Sequence, residues 1–533
     1  MRKIFISIAA AILVAVSCCG PKDGEYTFRL LTTNDVHGRY FPTDYRTDSP
    51  VPSLMSLSWY IDSVRVAAGE ENVILVEAGD FLHGDNAAYY YNYIDTVSAH
   101  VYGRLADAIG YDAVVPGNHD VETGHPVYDR LVRSMDTPLL AANALRNDDG
   151  RPYFQEYVTL KRHGLKIVII GFTNPNNRNS LSAELWEGMD FQSMMPDFAQ
   201  GVVDRVRMEE RPDIVIVAVH SGAGKGDGSI FEQQGLDLYN SLRGVDFLVC
   251  SHDHSALTMQ NDSIAMVNTG NYCRNLGYGT ITVTVKDGKV VSKEMTADLI
   301  PVDKNKVDVE LVEMFRQDYE KVKNFSTREI GTLKEDLRAI DALTGMSFYV
   351  NLLHTLTLNC EPAEISFAAP LTMATLKAGR LMYSDLQTLY PYENQVAVVR
   401  MTGAQVKRYL EYSYEGWINR TTKSLSDLDS AAGLVYEVDA DKPFGERVSI
   451  RSMADGSPFD MERTYNVGMT SYRARGGGDM LRKAGVDVGN IDEHTVAWHT
   501  DLRSLMEEYI ASVVELDPAV VGDRAIIGEW RFR

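Results

Sequence analysis

The sequence has little cysteine, a deficit of positive charge and no second long apolar run, and each shortage excludes a class of protein. Only five of its 533 residues are cysteine, and beyond the leader just Cys250, Cys273 and Cys360 remain, widely spaced. This is not the disulfide framework of a small secreted domain. The 52 basic residues are outnumbered by 74 acidic ones, for a net charge of −22. Surfaces that bind nucleic acid polymers are normally basic, so we exclude that partner.

The first residues have the pattern of an export signal. A basic start, "MRKIF", precedes the apolar run "ISIAAAILVAVS", which is too short to span a bilayer comfortably. Small residues then lead to Cys18, as in a bacterial lipobox, and ordinary signal cleavage nearby is the alternative. We predict a signal and lipobox segment over residues 1–18, with Cys18 lipidated. The mature protein is then exported and tethered only by this anchor, in the periplasm or at the surface of a bacterial cell envelope.

From residue 27 to about 300, one arrangement recurs along the chain. A short β-rich run is followed by residue types that bind metals, with helix-like segments in between. The runs are mostly apolar on both faces, so we predict an α/β fold whose sheets are covered by helices. In such folds, sites form at the carboxyl ends of strands. The runs and the clusters that follow them are "YTFRLLTT" with "NDVHG", "NVILVEA" with "GDFLHG", "YDAVVP" with "GNHD", "PDIVIVAV" with "HSG", and "VDFLVC" with "SHDHS".

The remainder of the chain predicts a second domain. The alternating run "YGTITVTVKDGKVVSKEMTADLI" turns at Asp-Gly and predicts a terminal hairpin. The polar segment 303–327 has a helical pattern and is predicted to be a linker helix. We therefore predict two domains, residues 26–302 and 328–530, in keeping with the length of the chain.

Together the clusters supply the ligands of a catalytic metal centre. Imidazole and carboxylate ligands without thiolate suit zinc, manganese, iron, cobalt or nickel. The set is too large for one tetrahedral ion but fits two ions that share a carboxylate, and Asp80, alone after its strand, is the natural bridge. Two divalent ions ~3.5–4 Å apart clamp phosphate oxygens and lower the pKa of a bound water. The predicted ligands are Asp35, His37, Asp80, Asn118, His220, His252 and His254.

Each cluster alone has a simpler structural interpretation. A single Asp-x-His is more often a turn, a single Gly-Asp is usually a helix cap, and a His-x-His can be a surface pair. Five such clusters in one order, each after an apolar strand, favour the metal centre.

On these motifs, the N-terminal half resembles the calcineurin-like metallophosphoesterases. Over residues 27–530 the chain resembles the two-domain 5′-nucleotidases and 2′,3′-cyclic-nucleotide phosphodiesterase/3′-nucleotidases. The resemblance implies a four-layer αββα sandwich followed by a smaller α+β C-terminal domain that binds the nucleoside. It assigns the ligands to two ions, with Asp35, His37, Asp80 and His254 on one and Asp80, Asn118, His220 and His252 on the other. Several relatives have glutamine at the position of His254.

The resemblance also implies a catalytic role for His119, which would not bind metal. It would stabilise charge on the phosphoryl group or protonate the leaving oxygen. In 5′-nucleotidases an aspartate three residues later orients this histidine, and here Glu122 occupies that position. Glu122 either orients His119 or is a helix-start residue near the positive end of the helix dipole. Asp120 is expected to be a supporting carboxylate.

In the C-terminal domain the expected substrate residues are Tyr472, Gly477 and Asp479. By resemblance, Tyr472 would stack on the base, and a core aromatic is the alternative. Its usual aromatic partner is missing from "SLSDLDSAAG", so a two-sided stack is not expected. Gly477, between Gly476 and Gly478, would let the backbone approach a ligand, and Asp479 would cap a helix or bind ribose. The segments "EISFAAP" and "SYRARGGGD" resemble the cyclic phosphodiesterase branch more than the 5′-nucleotidase branch.

These observations predict an exported enzyme that uses two divalent metal ions to hydrolyse phosphate esters of small nucleotides. The products would be nucleoside and phosphate, and no protein partner is predicted. One alternative keeps the metals but changes the substrate, as in a UDP-sugar hydrolase, a sulfur-ester hydrolase or a general phosphomonoesterase. Another is a non-catalytic surface lipoprotein that binds nucleotides or a host partner.

Overall fold

A computed structural model describes residues 20–192, 196–419 and 425–532. The predicted lipidation site, Cys18, and the leader lie outside the described residues. Within them, no helix is both long enough and apolar enough to cross a membrane. Cys250, Cys273 and Cys360 are buried free thiols, as the spacing of the cysteines predicted.

The first part of the chain contains two main sheets, a two-stranded ribbon and ten α-helices within the described ranges. The strands are β1 (Gly24–Thr33), β2 (Val73–Glu77), β3 (Ala113–Val114), β4 (Ala144–Arg146), β5 (Tyr157–Arg162), β6 (Leu165–Phe172), β7 (Met189–Phe191), β8 (Ile214–Val219), β9 (Phe247–Val249), β10 (Ala256–Gln260), β11 (Ala265–Thr269), β12 (Asn275–Lys286) and β13 (Lys289–Pro301). The helices are α1 (Leu54–Ala68), α2 (Asn86–Tyr89), α3 (Val101–Ile109), α4 (Asn118–Glu122), α5 (His125–Ser134), α6 (Asn177–Ser180), α7 (Pro196–Glu210), α8 (Gly235–Ser241), α9 (Val309–Met314) and α10 (Arg316–Ser326). A small ribbon, β4 with β7, lies beside the two main sheets.

The two main sheets stack face to face between layers of helices. Their strand orders are β13-β12-β1-β2-β3 and β10-β11-β9-β8-β6-β5. One apolar core joins their inner faces, where Leu30 and Ile74 of the first sheet meet Ile169, Ile216 and Phe247 of the second. Separate cores pack α1, α3 and α5 on the first sheet and α7 and α8 on the second. The predicted four-layer αββα sandwich is therefore confirmed.

The strand sequences explain the double layer. Every residue of β2 and of β8 is buried, as expected for strands covered on both faces. Strands β1, β2 and β3 are parallel, as are β6, β8, β9 and β11, so their carboxyl ends meet along one edge of each sheet. The hairpin β12–β13 turns at Asp287 and Gly288, both with positive φ, as the Asp-Gly signal predicted.

The second part of the chain is an α+β arrangement around a mixed five-stranded sheet, ordered β20-β16-β23-β19-β24. Its strands are β14 (Glu329–Leu333), β15 (Leu337–Arg338), β16 (Ile365–Ala368), β17 (Thr375–Leu376), β18 (Gly379–Met382), β19 (Gln395–Thr402), β20 (Ser430–Ala432), β21 (Leu434–Val438), β22 (Val448–Met453), β23 (Thr464–Thr470), β24 (Thr495–Asp501), β25 (Glu515–Leu516) and β26 (Gly528–Phe532). Its helices are α11 (Phe348–Leu358), α12 (Tyr383–Leu389), α13 (Gly403–Ile418), α14 (Ser471–Ala474), α15 (Met480–Ala484), α16 (Ile491–His494), α17 (Leu502–Val513), α18 (Pro518–Val521) and α19 (Arg524–Ile527).

The two parts contact each other through hydrogen bonds and through Tyr89, which packs into an apolar core of the second part. Gln387 of α12 donates a hydrogen bond to the carbonyl of Gly84, and Arg475 donates to Ser182 Oγ at 2.6 Å. Between the parts, the segment predicted to be one linker helix holds the two short helices α9 and α10.

Candidate metal centre and substrate cavity

The seven predicted metal ligands lie on five loops at the carboxyl ends of parallel strands. Asp35 and His37 follow β1, Asp80 follows β2, and Asn118 is the first residue of α4 after β3. The other three follow strands of the second sheet, His220 after β8 and His252 and His254 after β9. The two stacked sheets thus bring together residues that are up to 219 positions apart in the sequence.

One group of ligand atoms comprises Asp35, His37 and His254, all within 4.8 Å of one another. The Nε2 atoms of His37 and His254 are 2.8 Å apart. Asp35 Oδ1 lies 3.8 Å from the first of these nitrogens and 3.6 Å from the second. This oxygen is buried and has no hydrogen-bond partner.

A second group comprises Asp80, His220 and His252, again within 4.8 Å of one another. His220 Nε2 is 3.2 Å from Asp80 Oδ2 and 3.2 Å from Asn118 Oδ1, so the predicted amide joins this group. The other ring nitrogen of His220 contacts the carbonyl of Ala78 at 2.7 Å, which fixes the orientation of the ring.

The backbone at these loops is strained. Five of the seven predicted ligands have positive φ, between 47° and 75°: Asp35, His37, Asp80, His252 and His254. Such conformations cost of order 1–3 kcal/mol each and persist where the surrounding structure enforces them, typically at functional sites. Five in one place indicate that the fold holds these side chains in a set arrangement.

Two glycines of the motifs allow this close approach. A Cβ on Gly117 would lie 2.1 Å from Asp80 Oδ1, and a Cβ on Gly79 would lie 2.5 Å from His220 Nδ1. The glycines of "GD" and "GNHD" are therefore required because ligand side chains pack directly on their backbones.

The electrostatics of this donor set fit bound cations. Burial raises the pKa of Asp35 to about 7, against the opposing effect of His220. Burial also acts to raise the pKa of Asp80, but neighbouring imidazoles, His220 first, hold it well below its usual range. Burial lowers the pKa of His252 to about 3, which keeps this ring neutral, as a ligand must be. Burial acts to lower the pKa of His220, but the carboxylate of Asp80 outweighs this and raises it to about 9, so a cation bound to this ring would replace a proton. Buried carboxylates beside imidazoles are the donors that divalent metals take.

His119 lies beside the two groups and contacts Glu122. Its Nδ1 donates to Glu122 Oε2 at 2.6 Å, and its backbone N–H donates to Asp80 Oδ1 at 2.9 Å. Burial acts to lower the pKa of His119, but the carboxylates of Asp80 and Glu122 outweigh this and raise it to about 10. Glu122 ends α4 rather than beginning it, so the expectation of a helix-start residue is wrong.

Asp120 supports the loop that carries Asp80. Its carboxylate accepts hydrogen bonds from the backbone N–H groups of Asp80, Phe81, Leu82 and Gly117, at 2.7–3.0 Å. This supporting role is the one expected from the sequence.

Three polar residues around the centre were not predicted. Asn34 donates to Asp35 Oδ2 at 2.7 Å, and Ser251 lies 3.0 Å from His220 Nδ1. His83 packs against His119, with ring centroids 4.1 Å apart. Asn34 and His83 lie inside the motifs "NDVHG" and "GDFLHG". Their closeness in sequence to a predicted ligand could therefore have indicated that they belong to the site.

A cavity of about 260 Å³ joins the metal centre to the second part of the chain. Asp80, His119, His252 and His254 line it on the side of the first part, and the second part contributes, among others, Phe367, Tyr392, Asp429, Tyr472 and Arg473. Tyr472 is 52 % exposed, so it is not a core aromatic.

The other two predicted substrate residues differ in their placement. Gly477 lies against the ring of Tyr472, where a Cβ would come within 2.5 Å of that ring. Asp479 accepts a hydrogen bond from Arg482 at 2.6 Å and is not among the residues that line the cavity.

Two family models match the chain, one for each part. The calcineurin-like phosphoesterase model matches residues 28–256, and the 5′-nucleotidase C-terminal domain model matches residues 329–483. The chain carries the two domains of the 5′-nucleotidase and 2′,3′-cyclic-nucleotide phosphodiesterase family. This fold and the two groups of ligand atoms indicate divalent metal ions.

Individual relatives are distant but similar over most of their length. A 2′,3′-cyclic-nucleotide 2′-phosphodiesterase/3′-nucleotidase from Yersinia enterocolitica is 21 % identical, over 89 % of this chain and 84 % of its own. A 5′-nucleotidase from Vibrio vulnificus is 24 % identical, over 91 % and 93 %. A crystal structure from Staphylococcus aureus, provisionally named a 5′-nucleotidase and solved with alpha-ketoglutarate, superposes with a TM-score of 0.78 at 19 % identity, covering 95 % of this chain and 99 % of that one. At that identity the superposition shows the shared fold.

Proposed function

We propose that this enzyme hydrolyses phosphate esters of nucleotides to nucleoside and phosphate with two divalent metal ions. The observation that carries this proposal is the shared cavity. Candidate ligands and His119 line it together with the exposed aromatic rings of Tyr392 and Tyr472, so one molecule with a phosphate and a flat base can contact both. The relatives named above act on 5′-, 3′- and cyclic nucleotides, which supports this substrate class.

The two groups of ligand atoms provide one position for each ion. Asp35, His37 and His254 would hold one ion, Asn118, His220 and His252 the other, and Asp80 would contact both. When bound, such ions neutralise phosphate oxygens and supply a nucleophile at neutral pH.

His119 is the proposed catalytic residue, and Glu122 its positioning residue. The 2.6 Å contact between them fixes Nδ1, leaving Nε2 to face the phosphoryl group or the leaving oxygen. Tyr472 would stack one-sidedly on the base, with Gly477 leaving room for its ring. Asp479, which pairs with Arg482, would act on ribose only after that contact opens.

We also propose that the enzyme is exported and anchored through Cys18. Replacing it, Cys18→Ser, should release the enzyme from the membrane fraction, and retention would contradict the anchor. The proposed domain boundaries, 26–302 and 328–530, contain both family matches.

The test is phosphate release from a substrate panel by the metal-loaded enzyme. The panel comprises adenosine 5′-monophosphate, adenosine 3′-monophosphate, the 2′,3′-cyclic form with added phosphatase, and a UDP-sugar. We expect turnover of at least one nucleotide monophosphate. No turnover of any panel member with metals bound would contradict the proposal, and turnover of the UDP-sugar alone would favour the alternative substrate.

The variant His119→Ala should lose about 10²- to 10⁴-fold in activity, the usual contribution of an acid–base group. It should keep both metals. Loss of metals would show that His119 is instead a ligand.

A further inference from the structure

His83 is a buried histidine with no conventional role in the structure. It is 3 % exposed, and neither ring nitrogen has a hydrogen-bond partner among the residues that the structure describes. Buried polar side chains nearly always have such partners, so this imidazole is retained at a cost. Any role of His83 must therefore come from the packing contacts of its ring.

The ring of His83 is nearly parallel to two neighbouring rings. It stacks on His119, with centroids 4.1 Å apart and planes 15° from parallel. Tyr392, which precedes β19 in the second part of the chain, is more distant, with centroids 6.2 Å apart and planes 19° from parallel. His37 meets the ring edge-on at 5.8 Å. The closest parallel contact of His83 is therefore the one with His119.

The hydrogen bond from Nδ1 to Glu122 sets the plane of the His119 ring only loosely. A hydrogen bond tolerates angular misalignment, so the ring can tilt while this contact is kept. A parallel ring at 4.1 Å removes this freedom because it fixes the plane of the imidazole. Hydrogen bond and stack together fix where Nε2 points.

A third metal site is the competing interpretation. One atom each from His83, His119 and Glu122 lies within 4.8 Å of the others. An imidazole binds a metal in its ring plane, at about 2.1 Å. Two nearly parallel stacked rings cannot both direct a nitrogen lone pair to one such point, so the geometry disfavours a shared ion.

We propose that His83 is a positioning residue that fixes the ring plane of His119 by stacking. This inference rests on the proposed catalytic function of His119. On this proposal, His83 contributes to turnover through the face of its ring and not through its nitrogens.

Three variants separate the ring from the polarity of His83. His83→Phe keeps a flat ring without nitrogens, His83→Gln keeps polarity without a ring, and His83→Ala removes both. We expect His83→Ala and His83→Gln to lower kcat roughly tenfold with little change in KM, the size of one aromatic contact. His83→Phe should retain most of kcat. Rescue by glutamine but not by phenylalanine would overturn the proposal.

A double-mutant cycle tests whether His83 acts through His119. In the His119→Ala background, His83→Ala should change kcat less than about twofold, because the ring that it positions is gone. A full, additive loss would overturn the proposal. Metal content is measured for each variant, and loss of metal in His83→Ala but not in His83→Phe would also overturn it, because His83 would then support the ligands.

The substrates are, first, the nucleotides of the panel above and, second, p-nitrophenyl phosphate, which has no nucleoside. Turnover of the second alone, with the kcat pattern above, would contradict the nucleotidase function and still support the role of His83. A metal-loaded wild-type enzyme that hydrolyses neither overturns both. Wild-type turnover with an unaffected His83→Ala variant overturns only the role of His83.

Discussion

The metal centre and the substrate cavity are built in opposite ways. Each predicted ligand lies within five residues after a parallel strand, and five of the seven have a left-handed backbone. The cavity wall of the second part instead combines residues from β16, α11, α14 and the loops before β19 and β20, most of them apolar or aromatic. The first region holds specific polar side chains in fixed positions, whereas the second provides apolar and aromatic contact area for a substrate. Changes in the first should therefore abolish turnover, and changes in the second should alter substrate affinity.

The largest effect is expected from Asp80→Asn. This change removes the negative charge at the proposed bridging position and should cost several kcal/mol of transition-state stabilisation, or roughly 10³-fold in kcat. Phosphate release and metal analysis check it together. Near-normal kcat with two metals bound would show that Asp80 is not shared between the ions.

Glu122→Gln should have the next largest effect. The amide cannot orient His119 through a charged hydrogen bond, so kcat should fall about 10- to 100-fold, part of the contribution of the imidazole itself. The matched control is Glu122→Asp, the residue expected in 5′-nucleotidases, which should recover part of the loss. Equal activity of all three forms would assign Glu122 a structural role only.

In the cavity, Tyr472→Ala should raise KM and leave kcat and metal content unchanged. Base–aromatic stacking is worth about 1–3 kcal/mol, and a one-sided contact belongs at the lower end, which predicts a roughly fivefold to tenfold higher KM. Tyr472→Phe keeps the ring and should behave like the wild type. A loss in kcat instead would break the contrast between the two regions.

Gly477→Ala should have the smallest effect. Its Cβ would lie 2.5 Å from the ring of Tyr472 and displace that exposed ring rather than the core, so KM should rise about twofold. The same substitution in the Tyr472→Ala background has no ring to displace and should be silent. An effect that persists there would locate the action of Gly477 elsewhere.

The same contrast explains what the sequence could predict. Parallel strands with apolar faces place their carboxyl ends together, so a residue such as His220 could be assigned from its position after a strand. The direction of a side chain could not be predicted in this way. His83 lies in the motif "GDFLHG", but its stack on His119 is seen only in the folded loop.

The cavity was less predictable because its residues meet through long-range pairing. Phe367 and Tyr472 are 105 positions apart and approach because β16 pairs with β23. Asp479 was predicted to cap a helix or bind ribose; it precedes α15 with a left-handed backbone, φ of 62°, and its side chain accepts from Arg482 instead of capping that helix.

The central claim is that residues from five loops form one centre for two ions. Titration of the metal-free enzyme with manganese, followed calorimetrically and by thermal unfolding, tests it most directly. We predict two equivalents bound per chain and a higher Tm, since saturation at 100-fold over Kd stabilises the fold by about 2.7 kcal/mol per site. The Asp80→Asn variant should bind at least one equivalent fewer. Turnover by an enzyme that binds no metal, or unchanged stoichiometry in that variant, would contradict the account.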